Sequence, residues 1–276
     1  MPASNAKAIE KARTLSCDVV VLDLEDSVAP DAKEAARAQA LEALRVGGFG
    51  RRELVIRVNG IDTQWGADDL AAAAVSGADA VLVPKVSDAA DVERYDAALA
   101  GAPASLRLWA MIETIRSIFR LEEIAAASRK GRLAAWVMGT NDLAKEMGAS
   151  LNAARAPFLG MLGLSVAAAR AYGLAILDGV YNDIEDAEGF TAQCAQALEF
   201  GFDGKTLIHP KQIEPCNAIF SPSEAAIAEA RAIIDAFALA ENASKGAIRV
   251  NGRMVERLHL FQAERTLAIA QAVVGG

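Results

Sequence analysis

A small set of side chains in this sequence has the type and spacing to do chemistry together. Glu113, in Trp109-Ala-Met-Ile-Glu113-Thr114, and Asp142, in Val137-Met-Gly-Thr-Asn141-Asp142, each close a hydrophobic run that reads as a buried strand. Two hard oxygen ligands beside open positions suit Mg2+, which keeps several waters and accepts substrate oxygens readily. An ordinary helix N-cap before Leu143 is the other reading of Asn141 or Asp142. Gly139, Thr140 and Asn141 form a candidate substrate loop, where backbone amides can approach an anionic group at the start of a helix.

A second acidic group precedes these. In Val19-Val-Val-Leu-Asp23-Leu-Glu25-Asp26 the strand alternation sends Leu22 and Leu24 to one side and Asp23 and Glu25 to the other. Carboxylates buried together repel and need a cation, an arginine or a proton between them; surface charges on a turn are the alternative. Arg57 and Asn59 share one face of Val55-Ile-Arg57-Val-Asn59-Gly60 and are placed to supply that partner. A guanidinium at a strand end suits a substrate carboxylate or enolate oxygen, while pairing with Asp23 or Glu25 is the structural alternative. For Lys85, a salt bridge to a neighbouring carboxylate is expected rather than a Schiff base. His209, before Pro210, is expected to shape a loop.

The elements that must position these groups alternate. Short β-rich runs at 18–24, 54–58, 80–84, 106–112, 134–138, 174–178 and 204–208 are separated by alanine-rich amphipathic stretches such as 31–44, 115–128 and 159–172. This pattern predicts an α/β fold, a (β/α)8 TIM barrel, whose reactive groups project from the C-terminal strand ends. Seven strands are visible where a closed barrel wants eight. Pro2-Ala-Ser-Asn5 reads as a loop after a strand, with Ser4 or Asn5 capping a helix over 6–15, so the missing strand is expected to be the first; a seven-stranded or open sheet is the competing reading. After residue 222 the pattern changes to a helix over 223–242, a hairpin-like piece over 247–256 and a final helix to Val274. Residues 1–222 are therefore expected to be the catalytic barrel, and 223–276 a C-terminal helical lid or oligomerisation arm.

Composition narrows the function classes. The 276 residues are 53% hydrophobic and 23% charged, and carry a net charge of −8 without a basic cluster, which disfavours nucleic acid and anionic membrane surfaces as partners. Three scattered cysteines lack zinc or disulfide spacing, which fits a cytoplasmic setting. With two histidines in the chain, carboxylates must carry most of the chemistry.

The ordered motifs Leu22-Asp-Leu-Glu-Asp-Ser-Val28 with Lys33 and Arg37, Ile56-Arg-Val-Asn59, Val83-Pro-Lys85, Met111-Ile-Glu-Thr114, Gly139-Thr-Asn-Asp142, Asp178-Gly-Val-Tyr181 and Gly204-Lys-Thr-Leu-Ile-His-Pro-Lys-Gln-Ile213 run over nearly the whole chain. They resemble the citrate lyase β-subunit-like proteins, or CoA-ester lyases, of the HpcH/HpaI aldolase and citrate lyase superfamily. The resemblance implies a Mg2+-dependent carbon-carbon lyase that splits β-hydroxyacyl thioesters, such as malyl-, citramalyl- or citryl-CoA, into an acyl-CoA and a keto acid. It maps metal ligands onto Glu113 and Asp142 and a substrate-binding arginine onto Arg57. Val250-Asn-Gly-Arg-Met-Val-Glu256-Arg-Leu-His259 resembles the family's lid segment, which reaches a neighbouring subunit's site. Glu256 is thereby the first acid/base candidate, with Glu25 or Asp26 as alternatives, and a trimer or dimer of trimers is implied. Two departures stand out: the family's opening Arg-Ser-x-Leu-x-x-Pro strand is represented by Pro2 alone, and many relatives carry aspartate at the place of Glu256. The rivals are a malyl-CoA thioesterase, a citrate lyase β subunit acting on an acyl-carrier protein thioester, a pyruvate-dependent aldolase and a non-catalytic binding subunit. The aldolases typically place a histidine where Asp26-Ser27 stands here.

Overall fold

The computed structural model describes residues 1–242 and 244–274. Seven parallel strands lie side by side in sequence order: β1 (Val19–Asp23), β2 (Glu53–Arg57), β3 (Ala80–Val83), β4 (Arg107–Ile112), β5 (Leu133–Met138), β6 (Ala175–Asp178) and β7 (Gly204–Lys205). Parallel neighbours need long crossovers, and helices such as Lys33–Val46, Leu159–Ala171 and Ala187–Phe200 supply them. Both faces of the sheet are apolar. One carries the cluster Val55, Ala80, Leu82, Trp109, Met111, Ala135 and Val137. The alternate positions, among them Leu22, Ile56, Val81, Leu108, Ile112 and Trp136, are buried as well, as expected for strands covered on both sides.

The seven strands read from the sequence form, among the described residues, a parallel sheet with β1 and β7 at its ends, consistent with a barrel-like α/β fold. Met1–Ala3 runs along the outer edge of β1: Pro2 bridges Asp23 in parallel, Asp23 N–H donates to Met1 O at 2.9 Å, and the Met1 ammonium donates to Val21 O at 2.9 Å. One bridge is too little to continue the ladder. Nor does β7 reach the expected residue 208. After Thr206 N–H donates to Asp178 O, the Gln212 side chain takes the N–H groups of Ile208 and His209 and turns the chain. Asn5, not Ser4, caps the first helix, Ala6–Ala12. The expected helix over 115–128 is broken into Ile115–Ile118 and Leu121–Ala126, followed by a 3-10 turn.

The chain divides into two compact units at Cys216/Asn217. The second contains the helix Glu224–Ala238, capped by Ser223, then the antiparallel hairpin β8 (Ala247–Val250) and β9 (Arg253–Glu256), and the helix Arg257–Val274. Asn251 and Gly252 both take positive φ, as a tight two-residue hairpin turn requires. Ala230, Ile233, Phe237, Ile248, Val255 and Ala263 form this unit's own small core. No described helix is long and apolar enough to cross a membrane.

Candidate active site

The acidic residues gather at the C-terminal ends of β1 to β5. Asp23 and Arg57 are direct partners in the β1–β2 register. Arg57 donates from Nε and Nη2 to the two oxygens of Asp23, both at 2.6 Å, and Nη1 lies 2.9 Å from Glu25 Oε2 and 3.7 Å from Asp26. Ser27 Oγ and the Glu25 N–H also donate to Asp23. Burial works against ionisation of Asp23, but Arg57 and these donors outweigh it and hold the carboxyl below its usual range. Glu25 has no comparable support. Burial and the charges of Asp26 and Asp23 outweigh Arg57 and push its pKa up to about 7. Arg57 is thus paired with Asp23 and Glu25, which is the structural alternative drawn from the sequence.

Glu113 is 1% exposed, and one of its oxygens, Oε1, accepts the backbone N–H of Lys85 at 2.8 Å. Burial, with the charges of Glu25 and Asp142, pushes its pKa up to about 7. Gly139 makes room for it: a Cβ there would fall 2.3 Å from Glu113 Cβ and 2.5 Å from Oε2. The helix Thr140–Met147 is capped by Gly139 without a side-chain bond, so Asp142 is not spent as an N-cap. Its carboxylate is partly exposed, 3.6 Å from Lys85 Nζ. Lys85 itself adopts a left-handed backbone, φ +53°, and its expected salt bridge is formed. Among the described residues no group of three or more His, Cys, Asp or Glu side chains is arranged to hold a metal. Glu113 and Asp142 nonetheless fit a cation that needs few protein ligands: one carboxyl is buried short of counter-charge, the other is open to solvent, and water or substrate oxygens can complete the shell.

The remaining sequence candidates fall in several places. Thr140 is buried beside Gly179, whose Cβ would lie 2.7 Å from Thr140 Oγ1. Asn141 exchanges side-chain hydrogen bonds with Asn182 on the loop after β6. Asn59 does not supply the acidic cleft's partner. Its amide donates to Asp69 at 2.6 Å and to Leu24 O, while its oxygen accepts from buried Lys33. Lys33 also donates to Leu24 O and Glu25 O, so Lys33, Asn59 and Asp69 clamp the backbone that carries Glu25. Asp69 escaped the sequence reading because Asp68-Asp69 looks like ordinary first-turn acid. His209 accepts the Lys211 N–H and caps a 3-10 turn, the expected loop role. Glu256 belongs to the second unit, where it closes β9 and its N–H donates to His259 Nδ1.

The sequence reading also missed a buried ion network behind the β6 end. Asp178, fully buried, binds Arg155 Nη1 at 2.6 Å and Lys205 Nζ at 2.7 Å; Lys205 also donates to Gly179 O and Gln193. It fixes Gly179, which packs against Thr140. Lys205 and Asp178 stand in quoted motifs, whereas Arg155 lies in a loop with no local signal.

These features define an acidic cleft at the strand ends of a parallel α/β fold. Residues 1–210 match the family model HpcH/HpaI aldolase/citrate lyase, and the chain belongs to that family. It is an enzyme of the group that acts on CoA esters. It is 49% identical over 99% of its length to a (3S)-malyl-CoA thioesterase of Cereibacter sphaeroides, covering 93% of that protein. It is 36% identical, with the same coverage of both chains, to the L-malyl-CoA/beta-methylmalyl-CoA lyase of that organism. Among solved structures, CitE of Mycobacterium tuberculosis in complex with magnesium, acetoacetate and coenzyme A superposes with a TM-score of 0.76 at 31% identity, over 98% of this chain and 96% of that one.

Proposed function

We propose that the chain is a Mg2+-dependent enzyme of malyl-CoA-type thioesters, and that it hydrolyses them to free CoA and the hydroxy acid. The observation that carries this is the placement of two cation-ready carboxylates, Glu113 and Asp142, in one cleft with Arg57. The 49% identity to a malyl-CoA thioesterase supports hydrolysis over the other chemistries of the family.

Glu113, through Oε2, and Asp142 would hold the ion, with the Lys85 N–H keeping Glu113 Oε1 turned away. When bound, the ion supplies fixed positive charge for the α-carboxylate and hydroxyl of the acyl chain. Gly139, Thr140 and Asn141 line the approach to that anionic end. Arg57 Nη1, the edge of the guanidinium not taken by Asp23, stabilises the negative charge that develops on the thioester oxygen. Glu25, with its pKa near 7, is poised to accept a proton from the attacking water and return it to the departing sulfur. A C–O bond forms, the C–S bond breaks and the thiol leaves neutral. Asp26 and Glu256 are the other acid/base candidates.

A second reading, carbon-carbon cleavage, is favoured by the 36% identity to a malyl-CoA lyase. There the base takes the hydroxyl proton, the C–C bond breaks, and the thioester enolate is protonated to an acyl-CoA beside a keto acid. Mass spectrometry of malyl-, citramalyl- and citryl-CoA incubated with the protein and Mg2+ separates the two. Free CoA with intact hydroxy acid establishes hydrolysis, and a short acyl-CoA with a keto acid establishes the lyase. Survival of every substrate, matching the EDTA and Glu113→Gln controls, refutes both.

A further inference from the structure

We propose that Lys85 is the cleft's own exchangeable cation: its ammonium sits on Asp142 until a divalent ion is bound, and is then released to the anionic end of the substrate. The inference rests on the metal reading of Glu113 and Asp142 given above.

The backbone of Lys85 carries the first part of the case. It is left-handed, φ +53°, which is sterically unfavourable for a residue with a Cβ and easy for glycine. That conformation aims the Lys85 N–H at Glu113 Oε1. The loop is held there by Ser87, whose hydroxyl reaches Lys85 O at 3.3 Å and Thr114 Oγ1 at 3.0 Å. Glycine would present the same N–H with less strain, so the need to orient Glu113 accounts for the backbone but not for the side chain.

The side chain supplies the rest. It is 54% exposed, and its Nζ stands 3.6 Å from Asp142 Oδ1, beyond hydrogen-bond distance. A pair this loose and this wet is weak and exchanges readily. Asp142, Glu113, Glu25 and Asp26 all act on this ammonium, while Arg57 is already held by Asp23 along one edge. A divalent ion on Asp142 repels the ammonium from its place, and four flexible methylenes let it swing to the next negative charge at the mouth, which is the substrate's.

The test is Mn2+ binding to the full-length protein without substrate, followed by electron paramagnetic resonance, in wild type, Lys85→Gln and Lys85→Gly. The glycine variant keeps the N–H and relieves the strain, so agreement between the two variants isolates the ammonium. Both are expected to bind Mn2+ roughly tenfold more tightly, because a positive charge beside the ligand has been removed. Both are expected to lose affinity for oxalate, a probe of anionic substrate ends, once loaded with Mn2+. Unchanged or weaker Mn2+ binding in Lys85→Gly overturns the proposal, and so does unchanged oxalate binding. Failure of the wild type to bind Mn2+ overturns the metal reading itself, a result visible before any variant is made.

Discussion

Arg57 and Asp23 face each other across β1 and β2 and join through two hydrogen bonds of 2.6 Å, leaving one guanidinium nitrogen for Glu25 and the cleft. The fork needs a planar donor with two parallel N–H groups. Arg57→Lys keeps the charge but cannot hold Asp23 at both oxygens while reaching the cleft. We expect kcat/KM for the preferred CoA ester to fall roughly a hundredfold, about 3 kcal/mol of transition-state binding. Mn2+ affinity should change little, since Arg57 holds neither metal ligand. A parallel loss of Mn2+ binding would show that Arg57 organises the metal site instead.

Glu113 and Glu25 give the metal-free protein a distinctive pH profile. Both carboxyls are pushed up to about 7 by burial and like charge, so between about pH 4.5 and 7 the folded state holds protons that the unfolded state has released. Stability is then greatest below the unfolded pKa and declines as pH rises through the folded one. For Glu113 alone the decline is roughly 3 kcal/mol. Thermal melts in EDTA from pH 5 to 8 should show Tm falling with pH, and Glu113→Gln should flatten much of that slope. A wild-type Tm that rises over this window contradicts the assignment.

Gly139→Ala tests the cradle. A methyl group 2.3 Å from Glu113 Cβ must displace that side chain, and the neighbouring β4 and β5 backbones leave it little room to move. Mn2+ affinity is expected to drop at least tenfold, with far-ultraviolet circular dichroism unchanged. Retained affinity with normal turnover would mean that Glu113 is not a ligand.

How much of this was legible in the sequence depended on how local each cause is. The strands were readable because buried parallel strands are continuous apolar runs, and Glu113 and Asp142 because each closes such a run. The Asp23–Arg57 pair was readable as one of two alternatives, since strand alternation fixes the face but not the partner. Asn59 was misplaced because its fate is decided by Asp69 and Lys33, brought to it by helices on either side. The left-handed backbone of Lys85 carried no signal at all, because lysine gives no hint of positive φ where glycine would. A count of strands gave the seven-stranded order but not how few residues β7 and Met1–Ala3 contribute to a ladder.

The ion network behind β6 yields the last prediction. Asp178 neutralises one of two buried cations, Arg155 and Lys205, and Arg155 Nη2 is buried without a hydrogen-bond partner. Removing the carboxylate charge leaves both cations in a low-dielectric interior, which breaks the network rather than replacing it. Asp178→Asn is therefore expected to cost roughly 3–5 kcal/mol in urea unfolding. Lys205→Met, which removes one cation and leaves Asp178 paired with Arg155, should cost distinctly less. Because Asp178 positions Gly179 against Thr140, the surviving Asp178→Asn protein should also bind Mn2+ more weakly, whereas a purely structural network would lower stability and leave Mn2+ affinity unchanged.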